Sequence, residues 1–204
     1  MTIRFHRNDL PDGFRPGPSL AVDTETMGLN PHRDRLCVVQ LSVGDGTADV
    51  VQIVPGQEPP KNLIAVLADE SVLKLFHYAR FDVGMLYRAW GVMPKPVYCT
   101  KIASRLARTY TDRHSLKDLV RELIGVDLSK QQQSSDWGAD TLTAAQLEYA
   151  ACDVLHLHAV KQKLDDMLAR EGRTELAAAC FSFLPWRAVL DLDGWQETDI
   201  FAHS

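Results

Sequence analysis

The stretch "LAVDTETMGLNPHRDRLCVVQLSVGDG", residues 20–46, decides the fold, because it sets two acids at the end of an apolar run. Side chains two apart on a β-strand point to the same face, so Asp23 and Glu25 share one side of the strand predicted over residues 19–24. Two carboxylates about 4 Å apart repel by roughly 4 kcal/mol at an effective dielectric near 20. The pair therefore needs a shared proton, a basic partner or a metal ion.

The bulk composition predicts an ordinary soluble domain. The chain has 204 residues, of which 46% are hydrophobic and 24% charged. It shows no membrane-length apolar run and no signal peptide, and its four cysteines lack zinc-ligand spacing, so we expect a cytoplasmic protein with free thiols. The net charge of −5 argues against a broad surface for long duplex nucleic acid, but leaves room for a short nucleic acid bound locally.

The hydrophobic pattern alternates between two periods along the chain. Period-two or short apolar runs predict strands at 19–24, 35–43, 47–54, 72–77 and 96–100, and helical spacing predicts helices at 59–70, 79–91, 101–110, 115–125 and 143–171. Asp45-Gly46 is a strong hairpin signal, so the first strands are antiparallel. The pattern therefore predicts an α/β fold with a mixed five-stranded sheet and helices on both faces.

Three further residues bear on the acid pair. Asp82 lies at the start of a predicted helix directly after a strand, and Tyr149 and Asp153 are four apart and so share one helix face. Alone, Asp82 is also explained as a first-turn acid that the helix dipole stabilises, and Tyr149 as a core aromatic. Together, four carboxylates and a phenol are typical of a two-metal phosphodiesterase site that uses Mg²⁺ or Mn²⁺.

This ordered set resembles the DEDD family of 3′→5′ exonucleases, in its tyrosine-bearing branch and the ribonuclease D group. The resemblance rests on "VDTETMGLNPHRDRLCVVQLS", "FHYARFDVGML", "KQQQSSDW" and "LEYAACDVLHL", within residues 19–168. It implies a ribonuclease H-like fold and two divalent ions, with Asp23, Glu25 and Asp153 on one ion and Asp23 and Asp82 serving the second. It also implies that Tyr149 orients the attacking water and that nucleoside 5′-monophosphates are released.

The short nano-RNase C members of that group share "NPHRDRLCVVQLS" and "CTKIASRLARTYTDRH" with this chain. Ribonuclease D continues into helical RNA-binding domains, whereas only residues 171–204 follow the last predicted helix here. The resemblance implies a short RNA substrate, with diribonucleotides favoured, and a homo-oligomer that in the group is an octamer. We expect one domain, 1–204, with a catalytic core at about 19–170 and an assembly segment at 171–204.

Several residues are candidates for contact with the substrate. Leu29 lies where relatives place an apolar wedge between bases, and a loop leucine buried in the core is the equal alternative. His77 and Tyr78 precede the Asp82 helix, although a core histidine explains His77 nearly as well. The candidates for binding a terminal phosphate are Gln133, Ser134, Ser135, Arg113 and His114. Lys101, Arg105 and Arg108 share a helix and are also explained as a solvated face.

Two alternatives stay open. The same chemistry would serve an exonuclease that trims longer RNA 3′ ends or DNA, and an exonuclease fold can also act as a non-catalytic binding module. The tail aromatics leave a similar choice, because they must be buried either by the parent domain or by a neighbouring molecule. These aromatics are Phe181, Phe183, Trp186, Trp195 and Phe201.

Overall fold

The computed structural model describes residues 1–128, 132 and 134–203. Within these residues the six strands are β1 (Thr2–Arg7), β2 (Ser19–Thr26), β3 (Leu36–Ser42), β4 (Thr47–Gln52), β5 (Leu73–Phe76) and β6 (Val97–Cys99). The seven helices are α1 (Lys61–Ala68), α2 (Ala79–Trp90), α3 (Thr100–Ala107), α4 (Leu116–Ile124), α5 (Ala144–Leu155), α6 (Leu157–Arg170) and α7 (Thr174–Leu192). The predicted fold class, a mixed α/β sheet with helices on both faces, is confirmed.

The sheet has the strand order β1-β4-β3-β2-β5-β6. Strand β3 runs antiparallel to β2 and to β4, as the hairpin signal predicts, and the other neighbouring pairs are parallel. The connection between β3 and β4 turns through Gly44 and Gly46, both at positive φ, where glycine has no steric cost. Strand β2 lies between β3 and β5, and its two acids pair with β3, whereas the pairing with β5 ends at Ala21.

The predicted count of five strands is wrong, because β1 adds a sixth at the edge. It pairs in parallel with β4, and Arg4 and His6 both bond to Asp49. Its pattern alternates, but most of its side chains are exposed, so the apolar signal is weak. An edge strand buries little, so the sequence pattern predicts only a polar entry to the fold at this segment.

Two helical layers cover the sheet. Helices α1, α2 and α7 pack on the face that carries Leu20 and Val22, and α3 to α6 pack on the face that carries Ala21 and Leu75. This division follows the strand alternation predicted for β2. The acids of β2 lie on the Ala21 side of the strand, toward the layer that contains α5.

The predicted single helix over residues 143–171 is two helices that meet at His156. His156 itself keeps right-handed helical dihedrals, so the apolar periodicity continues across the break and hides it in the sequence. The two helices have different partners: α5 packs against β2, β3 and β4, whereas α6 packs against α3 and α4.

The tail, residues 171–204, is expected to be an assembly segment, and its helix also packs on the parent domain. Helix α7 packs along α2 and buries Leu184 and Ala188 in the same apolar cluster as the sheet. Arg80 of α2 also forms a two-pronged ion pair with Asp191 at the end of α7. The outer side chains stay exposed, among them Trp186 at 67% and Phe201 at 75%. The parent domain therefore buries one side of the tail helix and leaves the other open.

All four cysteines are free thiols, as expected. In the part of the chain that the structure describes, no helix combines the length and apolar character needed to cross a membrane.

Candidate active site

The acids of β2 meet a third acid from α5. One carboxylate oxygen from each of Asp23, Glu25 and Asp153 lies within 4.8 Å of the other two. Helix α5 is fixed at its start by Thr143, whose hydroxyl accepts from the Gln146 amide N–H. Because α5 packs directly on β2, β3 and β4, it places Asp153 beside Asp23 and Glu25. The three oxygens are close enough to bind one metal ion.

The fourth predicted acid, Asp82, comes from the first turn of α2 and is only 3% exposed. Its carboxylate accepts a 2.6 Å hydrogen bond from the Thr24 hydroxyl, which projects from the opposite face of β2. Asp82 stands outside the group of three, yet its charge acts on both Asp23 and Glu25. The division that the resemblance implies, with three ligands on one ion and Asp82 in a supporting position, stays a prediction.

Burial and mutual repulsion hold these acids far from their ordinary titration range. Burial first, and then the neighbouring carboxylates, raise the pKa of Asp23 well above normal and that of Glu25 to about 9. Burial also raises the pKa values of Asp82 and Asp153 to about 7. Among the described residues, no lysine, arginine or histidine forms an ion pair with any of the four. Because no basic partner pairs with these acids among the described residues, either a shared proton or a bound metal ion must offset the repulsion between the carboxylates.

Tyr149 lies one helical turn before Asp153 on α5, as predicted. Its ring packs against Trp137, with centroids 6.0 Å apart at an interplanar angle of 42°. Burial, followed by the charges of Asp153, Glu25 and Asp23, raises the pKa of the Tyr149 phenol. The hydroxyl therefore keeps its proton at neutral pH and serves as a hydrogen-bonding group beside the acids.

Gln40 on β3 contacts the acidic cluster and is not among the residues predicted from the sequence. It stands opposite Asp23 in the β2–β3 register, and its Nε2 donates a 2.7 Å hydrogen bond to Asp23 Oδ2. Every residue of β3 is buried, so a glutamine in that apolar run was the available signal. The hydrogen bond fixes the orientation of the Asp23 carboxylate.

The acids open into a cavity of about 670 Å³. This volume is within the range of roughly 300–1,000 Å³ that is usual for small-molecule sites. The predicted contact residues that line it are Leu29, His77, Tyr78, Ser134 and Ser135, and the lining that was not predicted includes Phe81, Ser115, Lys117 and Trp137. Gln133 lies outside the described residues. Arg113 is not part of the described lining and pairs instead with Asp118 and Glu122.

The structure distinguishes between the two readings of Leu29. The side chain is 83% exposed at the cavity edge, so the alternative of a leucine buried in the core is wrong. His77 fits both interpretations. Its Nδ1 lies 2.9 Å from the Thr100 hydroxyl, as in a hydrogen-bonded core histidine, and the residue also lines the cavity, as a substrate contact would. Burial and the charge of Lys101 lower the pKa of His77 to about 3, which keeps the imidazole neutral.

The basic residues of α3 and of the turn that follows it do not behave alike. Lys101 lines the cavity, with its ammonium 4.4 Å from the Tyr78 ring centroid. Arg105 is exposed, as a solvated face requires. Arg108, however, is 1% exposed, so the prediction of a solvated face is wrong at that position. Its guanidinium turns inward because it pairs with Glu122 of α4.

Comparison with known proteins places these features in a family. The sequence pattern of the 3′-5′ exonuclease family matches residues 9–169. Brucella melitensis NrnC is 62% identical, with a TM-score of 0.96, over 100% of this chain and 99% of its own. The same protein has been solved with bound Mg²⁺, at 60% identity and a TM-score of 0.95, and bound to pGG, at 61% and 0.96. Both of these matches cover 100% of each chain.

Curated relatives carry the name ribonuclease D. The protein from Granulibacter bethesdensis is 37% identical over 163 residues, which are 78% of this chain and 40% of the relative. This chain therefore spans about two fifths of that relative's length.

Proposed function

Since the chain belongs to the 3′-5′ exonuclease family, we propose that it is a two-metal-dependent 3′→5′ exoribonuclease for very short RNA. Its preferred substrate is a diribonucleotide, and its products are nucleoside 5′-monophosphates. The observation that carries the proposal is the three-acid cluster at the base of a cavity of about 670 Å³. Its support from outside the chain is the end-to-end similarity to a protein that has been solved bound to pGG.

The acid cluster fits divalent metal ions. Its donors are carboxylate oxygens whose pKa values are raised first by burial and then by mutual repulsion, and a bound cation would offset both. Asp23, Glu25 and Asp153 would hold one ion, and Asp23 with Asp82 would support a second. Bound Mg²⁺ or Mn²⁺ supplies the neutralising charge for a phosphodiester and lowers the pKa of water.

The chain's own residues hold the reacting groups in position. Gln40 fixes the orientation of Asp23, and Thr24 does the same for Asp82. The Tyr149 hydroxyl, protonated and held against Trp137, orients the attacking water by hydrogen bonding. Hydrolysis at the 3′-terminal phosphodiester then yields a 5′-phosphomonoester.

The rest of the cavity suits a second phosphate and two bases. Lys101 and Lys117 line it and are the charged groups that would meet a terminal 5′ phosphate, with Ser134 and Ser135 as hydroxyl donors. The exposed Leu29 would lie between the bases, and Tyr78 and His77 would contact the base or sugar. Arg113, already paired with acids, has no place in this assignment.

We further propose that the protein is cytoplasmic and that residues 1–204 act as one exonuclease domain. We also propose that copies of the chain associate into a homo-oligomer, up to an octamer. Support for association comes from the outer side of α7 and the segment after it, where Phe183, Trp186 and Phe201 are exposed. Apolar aromatics on a surface are typical of protein contacts.

The test is hydrolysis of 5′-phosphorylated diadenylate, pApA, with Mg²⁺ or Mn²⁺ and then with excess chelator. We expect AMP as the product with metal and no reaction with chelator. Asp23→Ala and Asp153→Ala should abolish turnover while the protein stays folded by circular dichroism. Near-normal turnover in either variant at saturating metal would refute the site. Binding without hydrolysis by the wild type would instead favour the non-catalytic alternative.

A further inference from the structure

We propose that Arg108 is a positioning residue that sets the first turn of α4 against the 5′ phosphate of the substrate. The inference rests on the proposed function and deepens it. The carrying observation is that a single buried guanidinium ties together α3, the connecting turn and α4, and that the start of α4 lines the active-site cavity.

Arg108 is buried to an unusual degree for a charged side chain. It is 1% exposed and is the largest of the fully buried side chains in the described structure. Within residues 1–128, 132 and 134–203, its Nε has no hydrogen-bond partner. Burying a charge with an unmet donor is costly, so an ordinary packing role would be served better by an apolar residue of similar size.

The guanidinium makes contacts in three directions. One amino group pairs with Glu122 on α4, and the other donates 2.8 Å to the Arg113 carbonyl and 3.2 Å to the Ser104 hydroxyl. The same Ser104 hydroxyl lies 2.8 Å from His114 Nδ1. Hydrogen bonds from Arg108 and Ser104 thus hold two successive residues of the turn between α3 and α4, Arg113 and His114.

These contacts fix what immediately follows the turn. Ser115 caps α4 by accepting from the Asp118 amide N–H, and residues Ser115, Leu116 and Lys117 line the cavity. The first turn of α4 brings Lys117 and the positive end of the helix dipole to the cavity, and the Asp118 carboxylate of the same turn is ion-paired with Arg113 and Arg121, so a phosphate is favoured there. Arg108 itself is not part of the described lining, so it acts through the placement of this turn.

A lysine cannot replace this arginine. The fork of an arginine satisfies a carboxylate, a carbonyl and a hydroxyl in fixed directions at once, whereas an ammonium is a point charge on a flexible stem. Arg108→Lys therefore keeps the charge and loses the geometry. Glu122→Gln is a gentler perturbation, because Glu122 is partly exposed and the amide keeps the shape of the side chain while removing its charge.

The test compares three substrates in these two variants and the wild type. They are pApA, the same dinucleotide without its 5′ phosphate, and the p-nitrophenyl ester of uridine 5′-monophosphate, which has no second nucleotide. For pApA, Arg108→Lys should raise KM by roughly tenfold, as expected for one mispositioned charge-assisted contact, with kcat nearly unchanged. Glu122→Gln should shift KM in the same direction by less. The dephosphorylated dinucleotide and the ester should show wild-type kinetics in both.

Arg105→Met is the matched control, since Arg105 lies on the same helix, is exposed and lies outside the described lining. It should leave all three substrates unaffected. Equal losses on all substrates in Arg108→Lys, in step with a lower Tm, would show a merely structural role and overturn the inference, as would an unchanged KM for pApA. A wild type inactive on pApA would refute the proposed function itself, and the inference with it.

Discussion

Without metal, the protein should lose stability as the pH rises. The carboxyls of Asp82 and Asp153 titrate near pH 7 in the folded protein, and that of Glu25 near 9. Their unfolded values lie near 4, so the folded state binds more protons between about pH 4 and 9. The stability that these protons confer is fully present below pH 4 and is lost as the pH rises through 7 and toward 9.

The size of the effect follows from the displacement of one group. A carboxyl that titrates near pH 7 instead of near 4 costs the folded state about 4 kcal/mol when ionised, at about 1.4 kcal/mol per pH unit. For a chain of this length, 1 kcal/mol moves Tm by about 2–4 °C. About half of that loss, roughly 2 kcal/mol, falls between pH ~5.5 and 7 for each of Asp82 and Asp153, so together they should lower the Tm of the chelator-treated protein by about 10 °C between pH ~5.5 and ~8.5.

Two variants make the measurement specific. Asp153→Asn removes one of the repelling charges, so it should raise Tm at pH ~8.5 and flatten the profile, whereas Asp166→Asn, an exposed acid on α6, should behave as wild type. Mg²⁺ should stabilise the wild type more at pH ~8.5 than at ~5.5, and should stabilise Asp153→Asn less. Differential scanning fluorimetry of the three proteins, with and without chelator, provides these profiles. A flat profile for the metal-free wild type, or a less stable Asp153→Asn at high pH, would refute the reasoning.

Four further predictions concern single side chains. Tyr149→Phe keeps the ring packing and loses the hydroxyl, so turnover should fall by about 10²–10⁴-fold at unchanged Tm, and an unchanged rate would reduce Tyr149 to a core aromatic. Leu29→Ala should leave stability within about 0.5 kcal/mol of wild type, because the side chain is 83% exposed, while raising KM for pApA; an unaltered KM would exclude a wedge. Leu184→Ala should cost about 2–5 kcal/mol in denaturant unfolding, because the residue is buried between α7 and the core. Trp186→Ala should spare stability and weaken association in light scattering, and an assembled, wild-type-like variant would exclude that surface.

Local spacing predicted the two pairs of residues from which the structure builds the acidic cluster. Asp23 and Glu25 follow from strand alternation, and Tyr149 and Asp153 follow from one helical turn, so each pair needs only its own element to be recognised. The two pairs come together only because α5 packs onto β2. The order of elements in an α/β fold does not by itself determine that packing. The family resemblance supplied that link.

Contacts between distant elements escaped the sequence. Gln40 reaches Asp23 through the β2–β3 register, and Arg108 turns inward because α4 brings Glu122 beside it. A glutamine in an apolar run and an arginine on a helix are visible in the sequence, but each has many explanations, so neither contact can be predicted locally. Strand β1 was missed because an edge strand buries little, and the inner side of α7 was missed because that helix has apolar residues on both its buried and its exposed side, which weakens its periodicity.

The relative efficiency on RNA of different lengths tests the central claim most directly. Steady-state kcat/KM should be measured with Mg²⁺ for pApA and for a 5′-phosphorylated seven-nucleotide RNA, with a dephosphorylated dinucleotide alongside. The account predicts a higher kcat/KM for pApA than for the longer RNA, and a marked loss of binding when the 5′ phosphate is removed. Comparable efficiency across lengths, or indifference to the 5′ phosphate, would contradict it and favour general trimming of RNA 3′ ends.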